Sequence, residues 1–179
     1  MAHFAQAQFI SSVRDKFPQR FKNCTVLDIG SLDINGNNRF VFEDYQYVGV
    51  DIGPGKNVDV VSKGHEYDTE DRYDIVISTE CFEHDMYYPL TIQNCIRLTK
   101  PGGMFVFTCA STGRPEHGTR RTSPSNAPLL AGFPEWSDYY KNLTEKDIRE
   151  VVNIEEVFSE HYFEYHEGHK DLFFYGIKK

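Results

Sequence analysis

The chain has 179 residues, 40% of them hydrophobic, with 14 Phe and 11 Tyr, which is enough for one substantial core and one domain spanning residues 1–179. Its formal net charge of −8 argues against nucleic acid as the main partner, because neutralising phosphates takes a basic surface. No apolar run approaches the roughly 18 residues of a membrane span, and no basic-then-apolar leader opens the chain, so no membrane association is expected.

The N-terminal segment, residues 1–20, predicts a helix. Phe9, Ile10, Val13 and Phe17 recur at helical spacing from His3 onward, and Pro18 ends the pattern. Residues 24–29 form a short continuous apolar run, as expected of a parallel strand buried on both faces. That run ends in Asp28-Ile29-Gly30-Ser31, and Asn35-Gly36 marks a turn. Residues 39–42 suit a short helix. Residues 46–50 read as strand 2, which ends at Asp51, and Gly53-Pro54-Gly55 breaks the chain after it.

Two apolar runs, one ending in a glycine turn and the next in an acid, suit a nucleotide-like cofactor. Glycine lets the backbone approach the ligand, and a carboxylate at the tip of strand 2 accepts hydrogen bonds from ribose hydroxyls. The dinucleotide fingerprint G-x-G-x-x-G is absent, because Leu32 holds the second glycine position. Asp28 and Asp33 would repel a pyrophosphate and attract an amine and a sulfonium. The loop therefore favours S-adenosylmethionine over NAD. A plain strand-to-loop turn with Asp28 capping backbone amides would use the same residues, but it would not require Asp51 at its spacing.

Residues 57–61 predict strand 3 and residues 73–78 strand 4. Tyr88, Ile92, Cys95 and Ile96 share one stripe of a helix over residues 87–98, stopped by Pro101-Gly102-Gly103. Residues 104–109 are strand 5. Thr144-Glu145-Lys146-Asp147 is a capping-box start for a helix carrying Ile148, Val151 and Val152. Residues 155–165 and 170–177 are strands joined at Glu167-Gly168-His169. The pattern is an α/β sheet, Rossmann-like and mostly parallel, with helices on both faces and an antiparallel C-terminal hairpin. The four cysteines form no C-x-x-C pair, so buried reduced thiols in a cytoplasmic protein are expected, and disulfides or zinc are not.

Between strand 5 and the capping box lie residues 110–142, rich in Gly, Pro, Ser and Arg and without periodicity. Long loops in compact domains are usually functional lids or disordered. His117 titrates near neutrality and is the first candidate base; Glu116 is the second. Arg114, Trp136, Tyr139 and Tyr140 are candidate substrate contacts, the aromatic residues as a wall for a sugar or planar ring. His117 capping a turn, and the tyrosines filling the lid's own core, are the structural alternatives. No metal is expected: Glu83, His84 and His117 carry the right chemistry, but no metal-ligand spacing is present.

In this order the chain resembles the class I S-adenosylmethionine-dependent methyltransferases. The matching segments are Val26-Leu27-Asp28-Ile29-Gly30-Ser31, Val48-Gly49-Val50-Asp51, Tyr73-Asp74-Ile75-Val76-Ile77-Ser78-Thr79-Glu80-Cys81-Phe82-Glu83-His84, and Arg97-Leu98-Thr99-Lys100-Pro101-Gly102-Gly103. The resemblance implies a seven-stranded sheet with strand 7 antiparallel between strands 5 and 6. It implies that Asp28, Gly30 and Ser31 lie along the methionine end of the cofactor, that Asp51 takes the ribose hydroxyls and that Ile52 packs on the adenine. Gly64, His65 and Glu66 would lie along the adenine edge, with Thr79 and Glu80 beneath the sulfonium. Lys63 stands where the family often has an acid that meets the adenine amine, so Glu66 or backbone carbonyls must take that bond.

Methyl transfer is an in-line displacement. Alignment supplies up to ~7–11 kcal/mol in model systems, and a positioned base adds about 10²–10⁴-fold. The expected activity is O-methylation of a small molecule or glycan. The alternatives are N-methylation and a catalytically inactive cofactor-binding subunit.

Overall fold

A computed structural model describes residues 4–179, so His3, where the helical pattern begins, lies outside the described residues. Helix α1 spans Phe4–Lys16 and is followed by a 3-10 turn over Pro18–Phe21. Ala5, Phe9, Ile10 and Val13 bury one face of α1 against Val26, Ile75, Ile77 and Val106 of the sheet. Strands β1 (Thr25–Ile29), β2 (Gln46–Asp51), β3 (Val60–Val61) and β4 (Tyr73–Thr79) follow. Helix α2 (Tyr88–Leu98) then leads into β5 (Thr99–Ala110). The chain closes with α3 (Glu145–Val151), α4 (Ile154–Val157), β6 (Phe158–His166) and β7 (Asp171–Lys178).

The seven strands lie in the order β3-β2-β1-β4-β5-β7-β6. The pairings from β3 to β5 are parallel, and β7 pairs antiparallel with both β5 and β6. The topology implied by the resemblance is thus the one the chain adopts. Helices cover both faces: Ile92, Cys95 and Leu98 of α2, with Ile148 of α3, pack on the face opposite α1. The order turns from one side to the other between β1 and β4. Parallel sheets bind ligands outside the carboxyl ends of their strands at such a point.

Three elements differ from the sequence expectation. Strand β3 has two residues, not five, because Asn57 takes a left-handed backbone (φ 70) and the Asp59 carboxylate accepts the Gly49 amide at 2.8 Å, replacing a ladder bond. Strand β5 begins at Thr99, ahead of the Pro-Gly-Gly turn, because Thr99 already pairs with Tyr73 and a register shift absorbs the glycines. Residues 154–157 form a helical turn instead of opening β6, since the Asn153 side chain accepts the Glu156 amide as an N-cap. The capping box at Thr144 and Asp147 forms as expected. Among the described residues no helix is long and apolar enough to cross a membrane. The four cysteines are free thiols, with Cys24, Cys95 and Cys109 buried.

Candidate active site

At the carboxyl ends of β1, β2 and β4 a cleft encloses about 940 Å³ of space, part of it open to solvent. The β1 strand delivers Gly30 into it with φ +79, and the Gly30 and Ser31 amides both donate to the Val50 carbonyl at 2.9 and 3.1 Å. A side chain at Gly30 would place its Cβ 2.5 Å from Cys81 Sγ, so the loop lies against the β4 turn only as glycine. Asp51 stands at the tip of β2. Its two oxygens accept the Leu32 amide at 2.9 Å and the Ile52 amide at 2.8 Å. Those bonds fix the carboxylate while leaving further lone pairs for a ligand. Burial raises its pKa, and the two amides oppose that.

Asp28 is buried, accepts the Tyr47 hydroxyl at 2.5 Å, and is pushed up to about 7 by burial. A free carboxyl titrates near 3.9, so the folded state holds this proton across a range where the unfolded chain has lost it. Stability contributed by that proton is full below about pH 4 and is lost as pH rises through about 7. Asp28→Asn is therefore expected to flatten the fall in stability between those values, by an order of 2–4 kcal/mol, while the amide oxygen still accepts from Tyr47. Urea unfolding of both proteins at pH 4, 6 and 8 reads the difference. The same slope in each would contradict a protonated Asp28.

The loop of residues 32–37, whose path the sequence leaves open, is braced by Asp33. Its carboxylate accepts the Gly36 amide at 2.7 Å and the Asn37 side-chain amide at 2.9 Å, and pairs with Lys56 at 2.8 Å. Asp33 is thus neutralised within the loop and does not line the cleft, contrary to its expected role in attracting a cation. The carboxylates that do line it are Asp28, Asp51, Glu80 and Asp85. Glu80 takes a left-handed backbone (φ 54) directly after β4, and its carboxylate accepts the Thr108 hydroxyl at 2.9 Å.

Of the expected cofactor contacts, Asp28, Gly30, Ser31, Asp51, Ile52, Gly64, Thr79 and Glu80 line the cleft. His65 and Glu66 do not. The His65 ring packs against Tyr87 and Trp136, and Glu66 is held by Lys63 at 3.0 Å on the surface. The cleft also takes in Asn38, Cys81, His84, Asp85 and Leu129, which the sequence reading did not assign to it. Asn38 donates to the Thr79 hydroxyl at 3.1 Å. That contact spans two loops and leaves no trace in spacing.

Residues 110–142 fold over this cleft, with 3-10 turns at Pro124–Asn126 and Pro128–Gly132. Leu129 lies against Gly53, where a Cβ would meet its methyl at 2.9 Å. Trp136 is buried and lines the cleft. Arg114 does not line the cleft: its guanidinium donates to the His169 carbonyl at 2.7 Å and pairs with Asp171 at 3.3 Å, pinning the segment to the β6–β7 hairpin. Glu116 is also displaced from its expected role. It accepts the Thr119 hydroxyl at 2.7 Å, pairs with Arg121 at 3.2 Å and does not line the cleft. Tyr139 and Tyr140 do not line the cleft. Tyr140 stands edge-on to His117 (centroids 5.1 Å apart) and 5.6 Å from His84.

His117 itself does not line the cleft. It is 8% exposed and sits T-shaped on His84, which does, with ring centroids 5.0 Å apart. Glu83 lies beneath them, fully buried, its Oε1 4.0 Å from His84 Nε2. Burial pushes Glu83 up to about 8, helped by the nearby Glu80 charge, and pushes His84 down to about 3, helped by His117.

The fold and cleft define a nucleotide-type site at the β1–β4 switch point, with an acid for a diol and carboxylates where a pyrophosphate would need amides and cations. The residues present fit S-adenosylmethionine, with Asp51 for the ribose, a Gly30 loop no side chain fills, and acidic lining for a cationic ligand. A family described as the methyltransferase domain matches residues 1–137, and the chain belongs to it. Its methyl donor is S-adenosylmethionine.

Among solved structures, the chain is similar to 1,6-didemethyltoxoflavin-N1-methyltransferase of Burkholderia thailandensis, solved with 1,6-didemethyltoxoflavin and S-adenosylhomocysteine. The two share 15% identity over 97% of this chain and 78% of that one, with a TM-score of 0.65. It is also similar to magnesium protoporphyrin IX methyltransferase of Synechocystis PCC 6803, at 13% identity over 100% and 89% of the two chains and a TM-score of 0.62. The N-methyltransferase NodS of Bradyrhizobium japonicum WM9 matches at 12% identity, over 96% and 97%, with a TM-score of 0.54. At these identities the likeness shows the fold alone. No curated protein matches the chain.

Proposed function

We propose that this chain transfers a methyl group from S-adenosylmethionine to a hydroxyl of a small molecule or glycan held under residues 110–142. The observation that carries this is one cleft lined by Asp51, Glu80 and His84 and also by Leu129 and Trp136 of residues 110–142. Asp51 accepts the ribose hydroxyls, and Ile52 offers its apolar surface to the adenine. Because Glu66 is tied to Lys63, the backbone of residues 62–64 supplies the polar edge beside the base. Asp28, with Gly30 and Ser31, lies along the methionine end, and Thr79 and Glu80 sit beneath the reacting centre. Bound there, S-adenosylmethionine would supply a methyl on a sulfonium and leave as a neutral thioether, with the acceptor hydroxyl's proton passing to the His84–His117 pair.

The acceptor's place is the part of the cleft beside His84, where Gly118 of residues 110–142 lies against the His84 ring. Of the two candidate bases, Glu116 does not line the cleft, so the proposed role stays with His117, whose ring stands on the cleft-lining His84. N-methylation is the second reading, favoured by the acidic lining, since Glu80 and Asp85 would suit an amine.

Calorimetry should show micromolar-range binding of S-adenosylhomocysteine and none of NAD. Labelled methyl should then pass from S-adenosylmethionine to hydroxyl acceptors in a panel that also holds amines. Heat with NAD alone would overturn the cofactor assignment. Label on amines alone would favour the second reading, and cofactor binding without transfer to either would leave a binding module.

A further inference from the structure

Glu83, His84 and His117 form a buried constellation beside the cleft, which His84 lines, and their donor atoms are without hydrogen-bond partners among the described residues. Among the described residues, both Glu83 carboxylate oxygens, both His84 ring nitrogens and His117 Nε2 are buried without a hydrogen-bond partner. Glu83 is 0% exposed, His84 7% and His117 8%. One buried polar atom left unpaired costs about 1–3 kcal/mol, and more when it is charged. Five at one point therefore ask for a ligand.

One donor atom from each residue lies within 4.8 Å of the other two. Ligand atoms about 2.1 Å from a shared tetrahedral ion stand about 3.4 Å apart, so side-chain movements of about 1 Å close the set. The surroundings hold His117 in ligating form. His117 Nδ1 is 3.0 Å from the Pro115 carbonyl oxygen, which can only accept, so Nδ1 carries the proton and Nε2 presents its lone pair inward. An imidazole that donates its second N–H to a carbonyl is the usual outer support of a metal ligand. Gly118 (φ +70) carries no side chain where a Cβ would stand 2.6 Å from His84 Cε1, so the lid backbone seats directly on that ring. The Lys141 amide donates to the Glu83 carbonyl at 2.9 Å and fixes the turn beneath.

We propose that Glu83, His84 and His117 bind one divalent first-row transition-metal ion. Two imidazoles and one carboxylate, with no thiolate, suit zinc, cobalt, iron or manganese better than calcium or magnesium, whose sites are built from oxygen. Three protein ligands leave coordination positions open. His84 lines the cleft, so those positions give onto the acceptor end. The ion would then orient an acceptor hydroxyl and ease loss of its proton as a Lewis acid. This role rests on the proposed methyl transfer; the binding site does not.

The test strips the purified full chain with a chelator, removes the chelator and titrates Co²⁺, following visible absorption and metal content. One Co²⁺ per chain is expected, with a rise in melting temperature. Glu83→Gln, His84→Asn and His117→Asn should each weaken binding at least 10-fold. His166→Asn and His169→Asn, at the paired rings of the exposed hairpin, should leave it unchanged. No cobalt bound by the wild-type chain, or binding lost with the hairpin variants and kept in Glu83→Gln, overturns the site. Wild-type stoichiometry and the hairpin variants suffice even where a buried variant fails to fold. S-adenosylhomocysteine calorimetry on the stripped chain separates the two readings. Cofactor binding without cobalt sinks the metal alone, and cobalt without cofactor binding sinks the methyltransferase assignment alone.

Discussion

Replacing Asp51 by alanine is expected to weaken S-adenosylhomocysteine binding by roughly 10²–10⁴-fold. Two ribose hydroxyls donating to one carboxylate contribute about 1.5–3 kcal/mol each, and every 1.4 kcal/mol is tenfold in affinity. The same substitution removes the acceptor of the Leu32 and Ile52 amides, so the loop after β1 and the start of the loop after β2 lose a shared anchor. Asp51→Asn separates these contributions. Its single carbonyl oxygen still accepts, while its amide nitrogen faces a donor, so its loss should be smaller than that of alanine. His117→Ala, outside the cleft lining, should leave cofactor affinity nearly intact and lower turnover. Calorimetry on the three variants decides it, and equal losses for Asp51→Ala and His117→Ala would mean that neither role is correct.

What the sequence disclosed divides along the range of the interactions. Strands β1, β4 and β5 are buried on both faces, so they read as continuous apolar runs, and Asp51 follows from where such a run ends. Strand β3 was overestimated because Asp59 serves Gly49 across the sheet edge and not its own strand, a long-range bond that propensity does not carry. The role given to Asp33 failed similarly, since Lys56 lies far along the chain and neutralises it. Arg114 and Glu116 have the composition of an active-site loop, yet partners at Asp171 and Arg121 occupy them. The Glu83–His84–His117 cluster was invisible as spacing. Two of its members come from the turn after β4, and the third returns from a lid without periodicity.

Gly30→Ala is expected to lower both stability and cofactor affinity. At φ +79 any L side chain is strained by roughly 1–2 kcal/mol, whatever space surrounds it. Here there is no space: the new Cβ would stand 2.5 Å from Cys81 Sγ and 2.6 Å from Cys81 Cβ. Overpacking of this kind typically adds about 1–3 kcal/mol. Relief by moving the loop would draw the Gly30 and Ser31 amides from the Val50 carbonyl and shift Leu32 off Asp51, so the strain spreads to the cofactor acid. Removing the obstructing side chain in the double variant Gly30→Ala, Cys81→Gly should recover the steric part while leaving the backbone strain. The double variant should therefore lie between the single Gly30→Ala variant and the wild type in cofactor affinity. Urea unfolding and calorimetry read both quantities. A Gly30→Ala protein as stable and as tight-binding as the wild type would show that this loop does not approach the ligand.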